Sequence, residues 1–178
     1  MLRLFAAIPV PAEIGQGLVR RQTGPFEARW SPLEQMHVTL RFFGEVSEAM
    51  ADDLDAELSQ ISARPLDLIV EGAGAFGEGI DIHAIWVGVS AHPGLSQLAQ
   101  ACERAARRAG LKAETRAFRP HVTLAYLRRP DPVAIAAWIQ ANSLVQAPAF
   151  TARGFGLYSS HATRHGSRYV QERYYPAG

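Results

Sequence analysis

The sequence predicts an α+β fold of two pseudo-symmetric lobes, each a mostly antiparallel sheet with helices on its outer face, around a central cleft. Three observations carry this expectation. Strand-like and helix-like segments alternate along the whole chain, the tetrapeptide His-Val-Thr-Leu occurs at residues 37–40 and again at 121–124, and each copy is strand-like with a helix after it. Identical tetrapeptides 84 residues apart in matching settings read as an internal repeat of two α+β halves. At 178 residues with 48% hydrophobic content, the chain is long enough to bury its own core. One bilobal domain over residues 1–178 is therefore expected, without a metal or disulfide staple.

The elements follow in order. Residues 2–9 form an apolar first strand, and Pro11 opens a polar-faced helix over Glu13–Gln22. A second strand covers Met36–Phe43 and stops at Gly44. Ser47 is placed as N-cap of the next helix, where Met50, Leu54, Leu58 and Ile61 recur at helical spacing. Leu66–Val70 is β-like, and the Gly-rich stretch 72–79 is expected to connect it to a strand over Ile82–Val89. The run Ala84-Ile85-Trp86-Val87 in that strand suits a sheet covered on both faces. Leu95, Leu98, Cys102, Ala105 and Ala106 mark a helix that Gly110 ends. A strand over Pro120–Leu127, a turn at Pro130-Asp131-Pro132 and a helix with Val133, Ile135, Ala136 and Ile139 come next. Strands around Ala149–Tyr158 and Arg168–Tyr174 close the chain, with a polar loop over residues 159–166 between them.

Composition narrows the function classes. No stretch of about 18 apolar residues is present, so no membrane span is expected. The apolar N-terminus is short and broken by Pro9 and Pro11, unlike a signal peptide, and Cys102 has no partner for an internal disulfide. A reduced, cytoplasmic monomer is the expectation. The net charge of +1 supplies no bulk attraction to nucleic acid. Seventeen of the 18 basic residues are arginine and only Lys112 is lysine. That usage suits phosphate recognition, but coding bias explains the same count without any function and is the preferred explanation.

The repeated motif carries the chemistry. In a strand, His37 and Thr39 project from one face and Val38 and Leu40 from the other, and the same holds for His121 and Thr123 against Val122 and Leu124. Two lobes related by approximate two-fold symmetry would bring two imidazoles and two hydroxyls to a shared cleft. One neutral imidazole can then activate water while the protonated one delivers a proton to the leaving oxygen. The threonine hydroxyls can donate to non-bridging phosphoryl oxygens. Two histidines without a third convergent ligand make a poor metal site, so neither metal nor cofactor is expected.

These motifs and their surroundings resemble the 2H phosphoesterases, and among them the RNA 2′,3′-cyclic phosphodiesterases, also called 2′-5′ RNA ligases. The resemblance includes residues 3–8, Trp30 and the run 36–46, residues 85–89, Phe118 through Ala125, and Leu157-Tyr158-Ser159-Ser160 with Gly166 and Tyr169. It implies a bilobal fold and metal-independent hydrolysis of 2′,3′-cyclic phosphates on RNA ends or small cyclic nucleotides, yielding 2′-phosphates. It also implies His37 as the acid and His121 as the base, whereas the two motifs themselves are too alike to separate these roles. Joining of tRNA-half ends and nucleotide binding with little turnover are the alternatives. Family members usually carry a phosphate-holding arginine five residues after the second motif histidine, where this chain has Tyr126. Candidates to take its place are the Tyr126 hydroxyl, Arg128 from a displaced strand end, and Arg41, two residues beyond Thr39. Trp30, Phe43 and Phe118 are candidate base-stacking residues, with at least two of them expected in the core.

Overall fold

The computed structural model describes residues 1–178. Ten strands and four α-helices follow in the order β1 (Leu2–Pro9), α1 (Ala12–Val19), β2 (Ala28–Trp30), β3 (His37–Val46), α2 (Glu48–Ser59), β4 (Leu66–Leu68), β5 (Val70–Phe76), β6 (Ala84–Val89), α3 (Pro93–Arg108), β7 (His121–Leu127), α4 (Pro132–Asn142), β8 (Phe150–Ala152), β9 (Gly154–Thr163) and β10 (Gly166–Pro176). The large sheet runs β10-β9-β1-β3-β7-β6-β5, with β2 also paired to β7, and β4 and β8 form a separate ribbon. The strand pairs are antiparallel.

The sheet has a seam. β3 and β7 are joined by one ladder pair, Val38 with Val122, whereas their outer neighbours pair along most of their lengths. On one side of the seam, β10-β9-β1-β3 is backed by α2 and α3; on the other, α4 packs on β5. The indole Nε1–H of Trp138 on α4 donates to the Arg21 carbonyl just after α1. Each lobe therefore mixes elements from early and late in the chain. The lobes do not coincide with the sequence halves, because the long final hairpin β9–β10 returns to pair with β1.

One hydrophobic cluster of 39 buried residues runs beneath both lobes, including Val38, Leu40, Val122 and Leu124 from the two motifs. Helix starts follow the local chemistry. The Ser47 hydroxyl accepts from the Met50 amide, and the Asp131 carboxylate accepts from the Val133 amide ahead of α4.

Several boundaries differ from the sequence expectation: α1 ends at Val19 rather than Gln22, and the segment expected as one strand over Ala149–Tyr158 is divided between β8 and β9. β3 continues through Gly44 to Val46 by way of irregular pairing with β1. Residues 70–76 form a strand, β5, rather than a connection. Its Gly74 lies under the Trp86 indole, where a Cβ would overlap the ring, so the glycine serves close approach and not a turn. The expected loop at 159–166 is mostly hairpin, with β9 reaching Thr163 and β10 starting at Gly166. Its outer end is exposed on both faces and therefore lacks the apolar alternation that marks a half-buried strand.

Candidate active site

The Val38–Val122 pair sets the register of the two motifs. Both valines point into the core. On the opposite face, antiparallel pairing places His37 across from Thr123 and Thr39 across from His121. The four polar side chains form a quartet over the seam.

The imidazoles are held identically. His37 Nδ1 lies 2.6 Å from the Gln35 carbonyl, and His121 Nδ1 lies 2.6 Å from the Arg119 carbonyl. A carbonyl only accepts, so each neutral ring carries its hydrogen on Nδ1 and presents a bare Nε2. Aromatic rings flank both. Phe5 and Tyr169 lie 5.0 and 5.3 Å from His37, and Phe76 and Trp86 lie 4.7 and 5.9 Å from His121.

This packing sets the charge state. Burial lowers the His37 pKa to about 4; the Gln35 carbonyl opposes that shift and the charge of His121 adds to it. Burial also lowers the His121 pKa, against the Arg119 carbonyl and with help from the Arg119 charge. Both imidazoles are neutral at pH 7 in the free protein. Burial holds the Tyr169 phenol in its protonated form as well.

A cavity of about 280 Å³ opens beside the quartet and is lined by His37, Thr123, Tyr126 and Tyr169, among others. None of its 13 lining residues is acidic, and Thr39 and His121 stand outside that lining. Trp30 lines it, whereas Phe43 is in the core and Phe118 is exposed elsewhere. Of the three aromatics singled out in the sequence, only Phe43 is therefore fully core.

The arginine candidates fare differently. An alternating strand would align Arg41 with His37 and Thr39, but Thr39 pairs with Ala7 and Arg41 with the next residue, Ala6. Leu40 is thus an extra residue, and this bulge turns Arg41 to the helix side. There its guanidinium is 2.5 Å from Glu103 on α3 and 3.5 Å from Glu114, and it donates to the Lys112 carbonyl. Arg41 is consumed by acids away from the quartet. Arg128 lies past the end of β7 in an exposed bend and does not line the cavity.

Tyr126 does reach the cavity, through a matching bulge. Trp86 pairs with Thr123 and Ile85 with Ala125, so Leu124 is the extra residue and Tyr126 returns to the quartet face. Arg29, Ser167 and Arg168 also line the cavity, and Arg29 lies directly across from Tyr126 in the β2–β7 ladder. Sequence reasoning missed Arg29. The short strand β2 has no alternating signal, and only its partnership with β7 exposes its role.

The model of the 2′-5′ RNA ligase superfamily matches residues 13–164. The chain is 35% identical over 126 residues to the RNA 2′,3′-cyclic phosphodiesterase of Escherichia coli, covering 68% of this chain and 70% of that protein. It is 32% identical over 148 residues to the RNA 2′,3′-cyclic phosphodiesterase of Thermus thermophilus, covering 74% and 71%. The crystal structure of E. coli LigT complexed with 3′-AMP superposes with a TM-score of 0.80 at 28% identity, covering 99% of this chain and 98% of that one. With the fold, the paired motifs and these matches in agreement, the chain belongs to the 2′-5′ RNA ligase superfamily.

Proposed function

We propose that this chain opens 2′,3′-cyclic phosphates on RNA ends or nucleosides with two imidazoles and no metal. It is an enzyme of the cyclic phosphodiesterase type, as its curated relatives are; the residues and the route are our reading. The observation that carries the reading is the quartet, two histidines and two threonines alternating across one strand pair.

One imidazole takes a proton from water through its bare Nε2 as the water oxygen bonds to phosphorus. The bond from phosphorus to the 3′ oxygen breaks, and the second imidazole, protonated on Nε2, delivers its proton to that oxygen. The product is a 2′-phosphate. Thr39 and Thr123 donate hydrogen bonds to the non-bridging oxygens, where charge is held in the transition state, and the Tyr126 hydroxyl lines the adjoining cavity. The acid must gain its proton with the substrate, because both rings are neutral beforehand. The anionic phosphate favours that uptake. The resemblance to the 2H phosphoesterases implies His37 as the acid and His121 as the base, and the two like motifs do not separate these roles by themselves.

Two further features support metal-free chemistry. The cavity lining lacks carboxylates, and no group of three or more His, Cys, Asp or Glu side chains comes together in metal-binding proximity. The test is hydrolysis of a cyclic-ended RNA by His37→Ala and His121→Ala in the presence of a chelator. Each variant should lose roughly 10²–10⁴-fold in kcat while retaining its fold. Turnover near wild type in either variant overturns the mechanism.

A further inference from the structure

Of the 18 basic side chains, four arginines are in ion pairs: Arg41, Arg108, Arg116 and Arg173. Two unpaired ones, Arg29 on β2 and Arg168 on β10, both line the acid-free cavity. Arg29 is also held in place. Its guanidinium carbon sits 4.7 Å from the centre of the Tyr126 ring, and its far end reaches Gly166 at the start of β10. A Cβ on Gly166 would overlap that guanidinium, and Gly166 has φ of +124°, a conformation that favours glycine. The hairpin is shaped around a cation that no acid neutralises. A planar guanidinium ordered in this way suits bidentate contact with phosphate.

Its position says which phosphate. The reacting phosphorus belongs over the quartet, at the level of Thr123. Tyr126, and Arg29 across from it, lie three residues further along β7, at most about 11 Å away. That displacement is of the order of one nucleotide, and it leads toward the β9–β10 hairpin. In an RNA substrate the group one step from the cyclic end is the phosphodiester on the 5′ oxygen of the terminal nucleoside. The geometry points to Arg29 and Arg168 as a subsite for that phosphodiester, which makes this chain selective for RNA chain ends over cyclic mononucleotides. The subsite rests on the cyclic-phosphodiesterase reading for its substrate, but not on the histidine roles.

The test compares kcat/KM for a dinucleotide ending in a 2′,3′-cyclic phosphate with that for a nucleoside 2′,3′-cyclic phosphate bearing a free 5′-hydroxyl. The wild type should prefer the dinucleotide by about tenfold or more, chiefly through KM. Arg29→Ala and Arg168→Ala should each erase most of that preference, with Arg29→Lys retaining part of it. Each alanine variant should also reduce the slope of log affinity against log salt by about 0.7. A wild type without preference, or variants that keep it in full, overturns the subsite. A third substrate, the cyclic mononucleotide with a 5′-phosphate, separates the sources of the phosphoryl group. A gain for it but none for the dinucleotide rules out a chain phosphodiester. Binding of a 3′-phosphate-ended dinucleotide, followed by calorimetry, needs no turnover. If hydrolysis fails, loss of this affinity in Arg29→Ala still supports the subsite, and wild-type affinity in that variant overturns it.

Discussion

The two lobes meet at the seam with the same tetrapeptide but different surroundings. In each, the motif histidine donates to the carbonyl two residues before it, and the motif leucine is a bulge. Each bulge returns the fifth residue after the histidine to the active face, Phe42 in the first lobe and Tyr126 in the second. Each of these rings is covered by an arginine from a neighbouring strand, Arg3 at 5.1 Å and Arg29 at 4.7 Å. The differences lie in polarity. Phe42 has no hydroxyl, and the residue before it, Arg41, turns to the helix layer, whereas Tyr126 brings a hydroxyl to the cavity. The motif histidines are held symmetrically, while the polar groups around the cavity come from both sides of the seam and differ in kind, Tyr126 and Arg29 from one side and Ser167 and Arg168 from the other.

The comparison is broken most severely at the threonines. Thr39→Val and Thr123→Val each remove one donor to the developing charge, and each should lower kcat by about 10²-fold in a single-turnover assay. A large loss at one site and none at the other would show that the symmetry is only structural.

The pH dependence comes next. His37 is neutral in both folded and unfolded chains above pH 6.5. Between 6.5 and about 4 only the unfolded chain binds the proton, so stability falls as pH falls through that window. The loss attributable to His37 should be up to about 3 kcal/mol by urea titration, and His37→Gln should flatten it. Because both pKa values are lowered, kcat/KM should peak on the acid side of pH 6.5. The profile for kcat should lie higher, since bound phosphate favours the imidazolium.

Arg41→Ala breaks the asymmetry from the other side. It leaves Glu103 without its partner and should cost about 2 kcal/mol of stability, with kcat changed less than about threefold. The smallest effect is expected for Tyr126→Phe, which makes the fifth positions alike and should lower kcat/KM by roughly three- to tenfold.

The sequence was most legible where periodicity and repetition coincide. The tetrapeptides lie in strands, and the helices started by Ser47 and stopped at Gly110 stand where the pattern puts them. Bulges were not legible. A single extra residue at Leu40 reverses the faces of Arg41 and Phe42 until a second irregularity at Phe43, so counting by twos sent Arg41 to the wrong side. The same device explains why an odd spacing of five brings Tyr126 to the site. Arg29 and Gly166 were hidden for another reason, since their partnership exists only once β2 and the final hairpin are placed against β7. Interleaving of the lobes was equally invisible, because local patterns carry no record of which distant strand a hairpin returns to.

The central claim is that both imidazoles address one phosphate. Titration of the His37 and His121 ring resonances by NMR, with and without a nucleoside 2′-phosphate, tests it without relying on turnover. The account predicts that the phosphate perturbs both Nε2 signals and raises both pKa values. Perturbation of one ring with the other unchanged, at saturating ligand, contradicts it.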